Sequence, residues 1–313
     1  MKKAILLVLF FFVRQVCSQT VPSYYTYDKD FSKSLQEIVN SLELNKNFSV
    51  GEDGEEQISF AVIDLNGPVP VIGGVNMENF IYPASVYKMY VAAQVLAQVS
   101  AGKYSLYEPY VTKAPNVVDR SLEIKTDPRP LIKEGDTLNV NYLLDLMITR
   151  SDNSAANCMI DIAGRQNINE MMHHYGWQGS EVTRKFLKRK YEDPGYDTVR
   201  STMTSALHAA DYMYRVYNND MINPWVSMQL KSFFGRQLDK SKLASGLPAN
   251  VMYYNKTGWF SYWTNDVGIV DDGKVRYIIS CFIPLEEDQA RPKMKELSSR
   301  VYKLISERHK KQS

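Results

Sequence analysis

Apolar residues recur along this chain with two different periods, which separates helical from extended segments. Helical spacing over 28–44 predicts an amphipathic helix near the start, and the same spacing over 294–305 predicts a closing helix. Alternating or continuous apolar runs predict five strands, over 57–65, 69–76, 250–258, 263–270 and 274–284. The turn signals Asn66-Gly67 and Asp272-Gly273 join the first and the last strand pairs.

The middle of the chain has a helical pattern. Helices are predicted over 84–99, 140–148, 154–164 and 204–217. An α/β (α+β) fold follows, in which one five-stranded antiparallel sheet is packed by both terminal helices and the helical middle forms a second lobe. We expect residues 19–82 and 235–313 to form the sheet lobe and residues 83–234 the helical lobe, with a site in the cleft between them.

Residues 1–18 are predicted to be a targeting segment. A basic start is followed by a ten-residue apolar run and by a small residue at Ser18, which is the pattern of a secretory signal peptide. Two alternatives stay open: an uncleaved anchor, which Arg14 disfavours by interrupting the apolar run, and a lipid on Cys17, which the bulky residue before it disfavours. A periplasmic or secreted protein is expected after cleavage near Ser18.

Charge and metal-binding residues restrict the function further. Without residues 1–18 the chain keeps 34 of its 37 basic residues and all 35 acidic ones, a formal charge of −1, so neither a nucleic-acid partner nor stable membrane insertion is expected. The histidines and cysteines show no metal-ligand spacing, and we expect no metal and no other cofactor. Cys158 and Cys281 lie in apolar sequence, where two buried thiols are favoured over a disulfide.

Three short motifs carry the chemistry. They are Ser85-Val86-Tyr87-Lys88 (S-x-x-K), Ser151-Asp152-Asn153 (S-D-N) and Lys256-Thr257-Gly258 (K-T-G). Any one of them is a weak signal. The set is specific because of its order and its gaps, with 66 and then 105 residues between the first positions.

Ser85 and Lys88 are predicted to share one face of a buried helix, one turn apart. Burial lowers the pKa of a lysine, and a neutral amine can take the proton of a neighbouring hydroxyl. At a helix N-terminus the backbone N–H of Ser85 can also stabilise an oxyanion. The alternative is a serine that caps the helix and a lysine that extends to water.

The other two motifs are predicted to bring polar groups to the same cleft. S-D-N falls between two predicted helices, where Asp152 can tie down the backbone, although the same residues are also common in turns and caps. K-T-G ends a strand, which places Lys256 at the rim as a cation for a substrate carboxylate. Gly258 would let a substrate backbone approach closely.

With these motifs the sequence resembles the class A β-lactamase family within the penicillin-recognising serine hydrolases. The likeness covers essentially all of the chain after residue 18 and extends to the run SAANCMIDIAG at 154–164 and to residues 265–270. It implies a β-lactamase/D,D-peptidase-like fold with Ser85 as nucleophile, Lys88 as general base and Ser151 as proton shuttle to the leaving nitrogen. The implied substrate contacts are a hydrogen bond from Asn153 to the side-chain amide of the substrate, a carboxylate site at Lys256 and Thr257, and an oxyanion hole from the N–H groups of Ser85 and Trp259.

One part of the family pattern is absent. Class A enzymes carry a glutamate before a proline in the loop after S-D-N, where it activates the water that hydrolyses the acyl-enzyme. Here that loop has the sequence VTRKFLKRKYEDPGYDTVRSTMTSA over 182–206, and only Glu192 and Asp193, just before Pro194, can substitute. The alternative is two surface acids in a turn.

Three functions therefore compete on the same sequence. The leading one is a secreted serine hydrolase that opens β-lactam amides through an acyl-serine intermediate. The second is a D,D-peptidase-like or penicillin-binding enzyme that acts on cell-wall peptides and deacylates slowly, and the third is a non-catalytic binding protein on the same fold. The expected partner is a small β-lactam or a D-Ala-D-Ala-type peptide, and the protein is expected to be a monomer.

Overall fold

The computed structural model describes residues 21–186 and 201–312. Its strands, in chain order, are β1 (Thr26–Tyr27), β2 (Phe48–Ser49), β3 (Glu55–Glu56), β4 (Ser59–Asp64), β5 (Val71–Val75), β6 (Phe80–Ile81), β7 (Pro109–Val111), β8 (Thr137–Asn139), β9 (Thr204–Ser205), β10 (Met252–Phe260), β11 (Trp263–Asp271) and β12 (Arg276–Ile283). Its helices are α1 (Lys29–Ser41), α2 (Lys88–Ser100), α3 (Val140–Thr149), α4 (Asn153–Ala163), α5 (Arg165–His174), α6 (Ala206–Tyr217), α7 (Pro224–Gly235) and α8 (Glu287–Gln312). The predicted signal segment, residues 1–18, lies outside the described residues.

One six-stranded sheet forms the centre of the fold, in the order β1-β5-β4-β12-β11-β10. The five strands predicted from the sequence are all present and pair antiparallel with their neighbours. The sixth strand, β1, pairs parallel to β5 at the edge and adds to the predicted sheet, because two residues are too few to show a period. The remaining strands form the short pairs β2–β3, β6–β9 and β7–β8.

Alternation along the central strands divides the core into two layers. In β4, Phe60 and Val62 join a cluster with α1 and α8, whereas Ala61 and Ile63 join a larger cluster with the other helices. Both faces of β4 are therefore buried, which explains its continuous apolar run. The two terminal helices cover one face of the sheet, as the sequence predicts.

Helix α6 packs directly against β4, β11 and β12, although the sequence analysis groups it with the helical lobe. Ser205 caps it, since its Oγ accepts a hydrogen bond from His208 N at 3.3 Å. The helix therefore begins at Ala206, two residues later than predicted. The division of the chain into two lobes at 82/83 and 234/235 stays a prediction.

Cys158 in α4 and Cys281 in β12 are both free and buried, which confirms the two thiols favoured by the sequence. Over residues 21–186 and 201–312, no helix combines the length and the apolar character that a membrane span requires. The same described ranges contain no group of three or more His, Cys, Asp or Glu side chains arranged to hold a metal ion.

Candidate active site

Ser85 lies in a tight turn that the strand of the third motif supports. The turn begins at Pro83, has Ala84 at φ 46°, and forms a 3₁₀ helix over Ala84–Tyr87 before α2 starts. A Cβ on Gly258 would lie only 2.8 Å from Ser85 N and from Pro83 O, so only glycine fits this position of β10. Gly258 therefore lets the turn of Ser85 approach the strand, whereas the sequence had suggested the approach of a substrate.

Lys88 is buried beside Ser85, with 0% of its surface exposed. Its Nζ lies 2.9 Å from Ser85 Oγ and 2.9 Å from Asn153 Oδ1. The same Nζ lies 2.5 Å from the carbonyl oxygen of Ser151 and 3.2 Å from Ser151 Oγ. The alternative of a lysine that extends to water is therefore wrong.

Burial and three nearby carboxylates shift the pKa of Lys88 in opposite directions. Burial lowers the pKa of Lys88 to about 8, against the charges of Asp119, Glu123 and Asp152, which raise it. At pH 7 about a tenth of the molecules therefore carry a neutral amine. That amine lies against a hydroxyl whose proton it can accept.

Ser151 lies between the two lysines of the motif set. It connects α3 and α4 with φ 63°, and its Oγ accepts hydrogen bonds from Lys88 Nζ at 3.2 Å and from Lys256 Nζ at 3.0 Å. Asp152 caps α4, because its carboxylate accepts from Ala155 N at 2.7 Å. Asp152 thus ties down the backbone next to Ser151, as the sequence predicts.

Lys256 lies beneath Ser151 rather than at the rim. Its side chain is 0% exposed, and Nζ donates to Ser151 Oγ at 3.0 Å and to Thr257 O at 2.7 Å. Burial, together with the nearby charge of Lys88, holds the pKa of Lys256 well below its usual value. The predicted rim position is wrong, because Nζ is directed to Ser151 Oγ and Thr257 O and the side chain does not line the cleft.

Phe186 comes from the loop after S-D-N and covers the amine of Lys88. Asn157 on α4 holds its backbone, because Oδ1 accepts from Phe186 N at 2.7 Å and Nδ2 donates to Phe186 O at 3.2 Å. The ring stacks on Tyr87 with 4.5 Å between centroids, and its own centroid lies 4.3 Å from Lys88 Nζ. An apolar group therefore borders the amine on the side of this loop.

Asp119 belongs to the site although no sequence motif marks it. Its carboxylate accepts hydrogen bonds from Asn153 N and Nδ2 and from Ser154 N, each at 2.8 Å. It lies in an irregular connection after the 3₁₀ turn Ala114–Asn116. A lone aspartate in such a connection gives no sequence signal, so only the tertiary structure reveals it.

A cleft of about 940 Å³ opens beside Ser85. Its lining is partly aromatic and partly charged, and includes Tyr82, Glu123, Asn153, Lys185, Trp259 and Phe260. Trp259, the predicted source of an oxyanion N–H, is 42% exposed, and its Nε1 donates to Glu123 Oε1 at 2.7 Å. Thr257 is buried next to Lys256. Glu192 and Asp193 lie outside the described residues, so their role stays a prediction.

Residues from three distant motifs thus meet in one hydrogen-bonded group. A serine bonded to a buried lysine, which a second serine links to a second lysine, is an arrangement suited to acyl transfer. The fold and this group together define a serine hydrolase of the type that S-x-x-K, S-D-N and K-T-G mark.

The chain belongs to the beta-lactamase enzyme family, whose sequence model matches residues 35–305. It is 24% identical over 237 residues to β-lactamase BRO-1 of Moraxella catarrhalis, an alignment that covers 74% of this chain and 72% of that protein. Among solved structures it is similar to PBP-A, with a TM-score of 0.74, 18% identity and coverage of 92% of this chain and 100% of that one. It is also similar to the β-lactamase of Sphaerobacter thermophilus, with a TM-score of 0.73, 17% identity and coverage of 88% and 97%. The resemblance and the fold class inferred from the sequence are confirmed.

Proposed function

We propose that this protein opens β-lactam amides by acylation of Ser85. The observation that carries the proposal is the hydrogen-bonded series that links Ser85 Oγ to Lys88 Nζ at 2.9 Å and Lys88 Nζ to Ser151 Oγ at 3.2 Å. The neutral amine of Lys88 takes the Ser85 proton while Oγ attacks the carbonyl carbon of the β-lactam. The developing oxyanion is placed against the N–H groups of Ser85 and Trp259.

Collapse of the tetrahedral intermediate breaks the carbon–nitrogen bond, and the electron pair leaves with the nitrogen. Ser151 Oγ gives this nitrogen its proton and recovers one from Lys88, which returns the proton it took from Ser85. The amine ends neutral, so the proton balance closes within the three side chains. The alternative of a non-catalytic binding protein is disfavoured, because such a protein needs no buried lysine beside a serine.

The substrate carboxylate is proposed to bind near Ser151 and Thr257, with Lys256 as the positive partner beneath them. The support for this role is the 3.0 Å contact between Lys256 Nζ and Ser151 Oγ. Burial lowers the pKa of Lys256, and a bound carboxylate opposes this shift by favouring the protonated lysine, whose charge then stabilises the carboxylate. Asn153 is proposed to contact the side-chain amide of the substrate from the lining of the cleft.

Hydrolysis of the acyl-enzyme is proposed to be slow. A base for the attacking water has to lie near the ester of acyl-Ser85, and next to Lys88 the described part of the loop after S-D-N supplies the ring of Phe186. An aromatic ring cannot accept the proton of a water molecule. This observation favours the second function, a penicillin-binding or D,D-peptidase-like enzyme whose acyl intermediate persists, over a fast β-lactamase.

Intact-mass spectrometry after mixing with benzylpenicillin tests both parts of the proposal. We expect an adduct of one penicillin per chain that persists, and no adduct on Ser85→Ala. Ser201→Ala is the matched control, because it removes an exposed serine from the lining of the same cleft and should keep the adduct. Undiminished labelling of Ser85→Ala would refute the nucleophile. Rapid turnover of a chromogenic cephalosporin would refute slow deacylation and restore the β-lactamase function.

We also propose that residues 1–18 direct the protein out of the cytoplasm and are removed near Ser18. N-terminal sequencing of protein from the periplasm or the medium checks this, with Gln19 expected as the first residue. Recovery of the intact chain from the cytoplasm alone would contradict it.

A further inference from the structure

Asp119 uses both of its carboxylate oxygens at the start of α4. Oδ1 accepts from Asn153 Nδ2 at 2.8 Å, and Oδ2 accepts from the backbone N of Asn153 and of Ser154, each at 2.8 Å. Ser154 Oγ donates to Oδ2 as well, at 3.0 Å. A carboxylate at this point satisfies N–H groups that a helix start leaves without intrahelical partners. The side-chain contact with Asn153 is a separate matter, since it adds nothing to the capping of the helix.

The contact with Asn153 sets which end of its amide faces Lys88. Asn153 Oδ1 accepts from Lys88 Nζ at 2.9 Å, while Nδ2 at the opposite end donates to Asp119. Turning the amide by half a revolution would set NH₂ against the amine and oxygen against the carboxylate. In both contacts two donors or two acceptors would then face each other, and two hydrogen bonds to ionisable groups would be lost.

The orientation of this amide decides where the lone pair of Lys88 points. A neutral amine has two N–H groups and one lone pair, and its Nζ has two neighbours that only accept, Ser151 O at 2.5 Å and Asn153 Oδ1 at 2.9 Å. When these take the two N–H groups, the lone pair is left for the two hydroxyls, Ser85 Oγ at 2.9 Å and Ser151 Oγ at 3.2 Å. These are the two groups that exchange protons with Lys88 in the proposed mechanism.

We propose that Asp119 is a positioning residue for acylation: by holding Asn153 Nδ2 it keeps the amide oxygen on Lys88 and leaves the lone pair of the amine to the two serines. The inference rests on the proposed function, because it assigns Lys88 the part of general base. It makes Asp119 act through Asn153, without contact to the substrate.

The charge of Asp119 also gives the proposal a pH signature. The groups that face Lys88 are Lys256 across Ser151, the ring of Phe186, and three carboxylates, of which Asp152 is paired with Arg150. Asp119 is the largest of the charge effects that raise the pKa of Lys88. Removing that charge lowers the pKa, so the neutral amine persists to lower pH and the acid limb of the acylation profile moves the same way.

The test compares three variants in the full chain with benzylpenicillin, measuring the acylation rate constant against pH. Asp119→Asn is nearly isosteric, and we expect a plateau rate about 10- to 150-fold lower, the size of one lost hydrogen bond to a charged group, together with an acid limb at lower pH. Asp119→Glu keeps the charge. The acid limb of its acylation profile should therefore lie at the same pH as in the wild-type protein, even if the plateau rate changes. Ser154→Ala removes a hydroxyl that donates to Asp119 Oδ2 and accepts from the backbone N–H groups of Val118 and Asp119, so it loosens the same loop. It takes no part in either Asn153 contact, and we expect it to keep both the acylation rate and the acid limb.

The proposal is overturned if Asp119→Asn and Ser154→Ala acylate alike, because Asp119 is then only an anchor for its loop. It is overturned equally if the limb of Asp119→Glu moves as far as that of Asp119→Asn. Titration of ¹³C-labelled Lys88 by NMR needs no substrate and should give a lower pKa in Asp119→Asn than in Ser154→Ala. A wild-type protein that forms no adduct would refute the proposed function, while the NMR comparison would still show whether the charge of Asp119 acts on Lys88.

Discussion

Replacing Phe186 by glutamate is expected to speed hydrolysis of the acyl-enzyme, because it puts a carboxylate where a ring now lies 4.3 Å from Lys88 Nζ. Asn157 holds the backbone of this residue at both N and O, so the new side chain would leave the chain from the same point. Lys88 Nζ lies 2.9 Å from Ser85 Oγ, and a carboxylate beside it is within reach of a water next to the acyl carbon.

The expected gain is set by what a general base contributes. Such assistance is typically worth about 10²–10⁴-fold, and we expect the deacylation rate constant of Phe186→Glu to rise by that order. The same carboxylate would raise the pKa of Lys88 and slow acylation at pH 7, since fewer molecules would carry the neutral amine. Loss of the buried ring, 7% exposed, costs stability as well, up to about 3–5 kcal/mol.

Phe186→Gln is the matched control, since it has the size of glutamate and opens the same space without supplying a base. Loss of the penicillin adduct is followed by intact mass after mixing protein and penicillin in equal amounts, at a temperature where both variants are folded. We expect Phe186→Glu to lose the adduct about 10²–10⁴-fold faster than Phe186→Gln. Equal rates in the two variants would refute the reasoning, because access of water rather than its activation would then limit hydrolysis.

The same assay on the wild-type protein examines the two acids that lie outside the described residues. If the wild-type adduct is lost quickly, a base exists elsewhere, and Glu192→Gln and Asp193→Asn should each be measured. If one of these two variants loses fast hydrolysis, the residue it replaces is the base. If both variants keep fast hydrolysis, the base lies in another part of the chain.

Lys256→Met should lower kcat/KM for a penicillin by about 10- to 150-fold, the effect of losing a hydrogen bond to a charged group. The methyl ester should lose less, because it offers no carboxylate charge for Lys256 to stabilise, and equal losses for the ester and the free acid would contradict the proposed carboxylate role. Burial beside Ser180 lowers the pKa of His208 to about 4, below an ordinary value near 6.5. The stability this contributes is present above pH 6.5 and is lost as the pH falls toward 4, by about 3 kcal/mol in total. Urea unfolding at pH 7 and pH 4 measures how far the free energy of unfolding falls between the two. The fall should be smaller in His208→Gln than in the exposed control His173→Gln, and equal falls would contradict the role of His208.

Much of the fold can be predicted from the sequence, because the signals involved are local. Strand β12 was predicted over 274–284 and spans Arg276–Ile283, and α4 was predicted over 154–164 and spans Asn153–Ala163. A strand or helix shows its period within about a dozen residues, so its type can be inferred before its partners are known. The three motifs are likewise local, and their order identified the residues that meet in the site.

Two helices were missed for different local reasons. Helix α5 buries only Ile168, Met171 and Met172, which is too little apolar content to show a clear period. In α7 the buried residues from Val226 to Phe234 do have helical spacing, so this helix carries a local sequence signal of its own. The edge strand β1, with two residues, has no period to detect.

What the sequence by itself determined, then, is the five antiparallel strands of the central sheet, six of the eight helices in the described residues, the family and the three motifs that meet in the site. Only the tertiary structure decided that Lys256 is buried beneath Ser151, that Asp119 orients the amide of Asn153, and that Phe186 borders the amine of Lys88. The physical reason is that exposure and contact depend on which segment covers a residue. Here the covering segments are separated from their partners by tens of residues or more, a distance over which hydrophobic period and motif spacing carry no information.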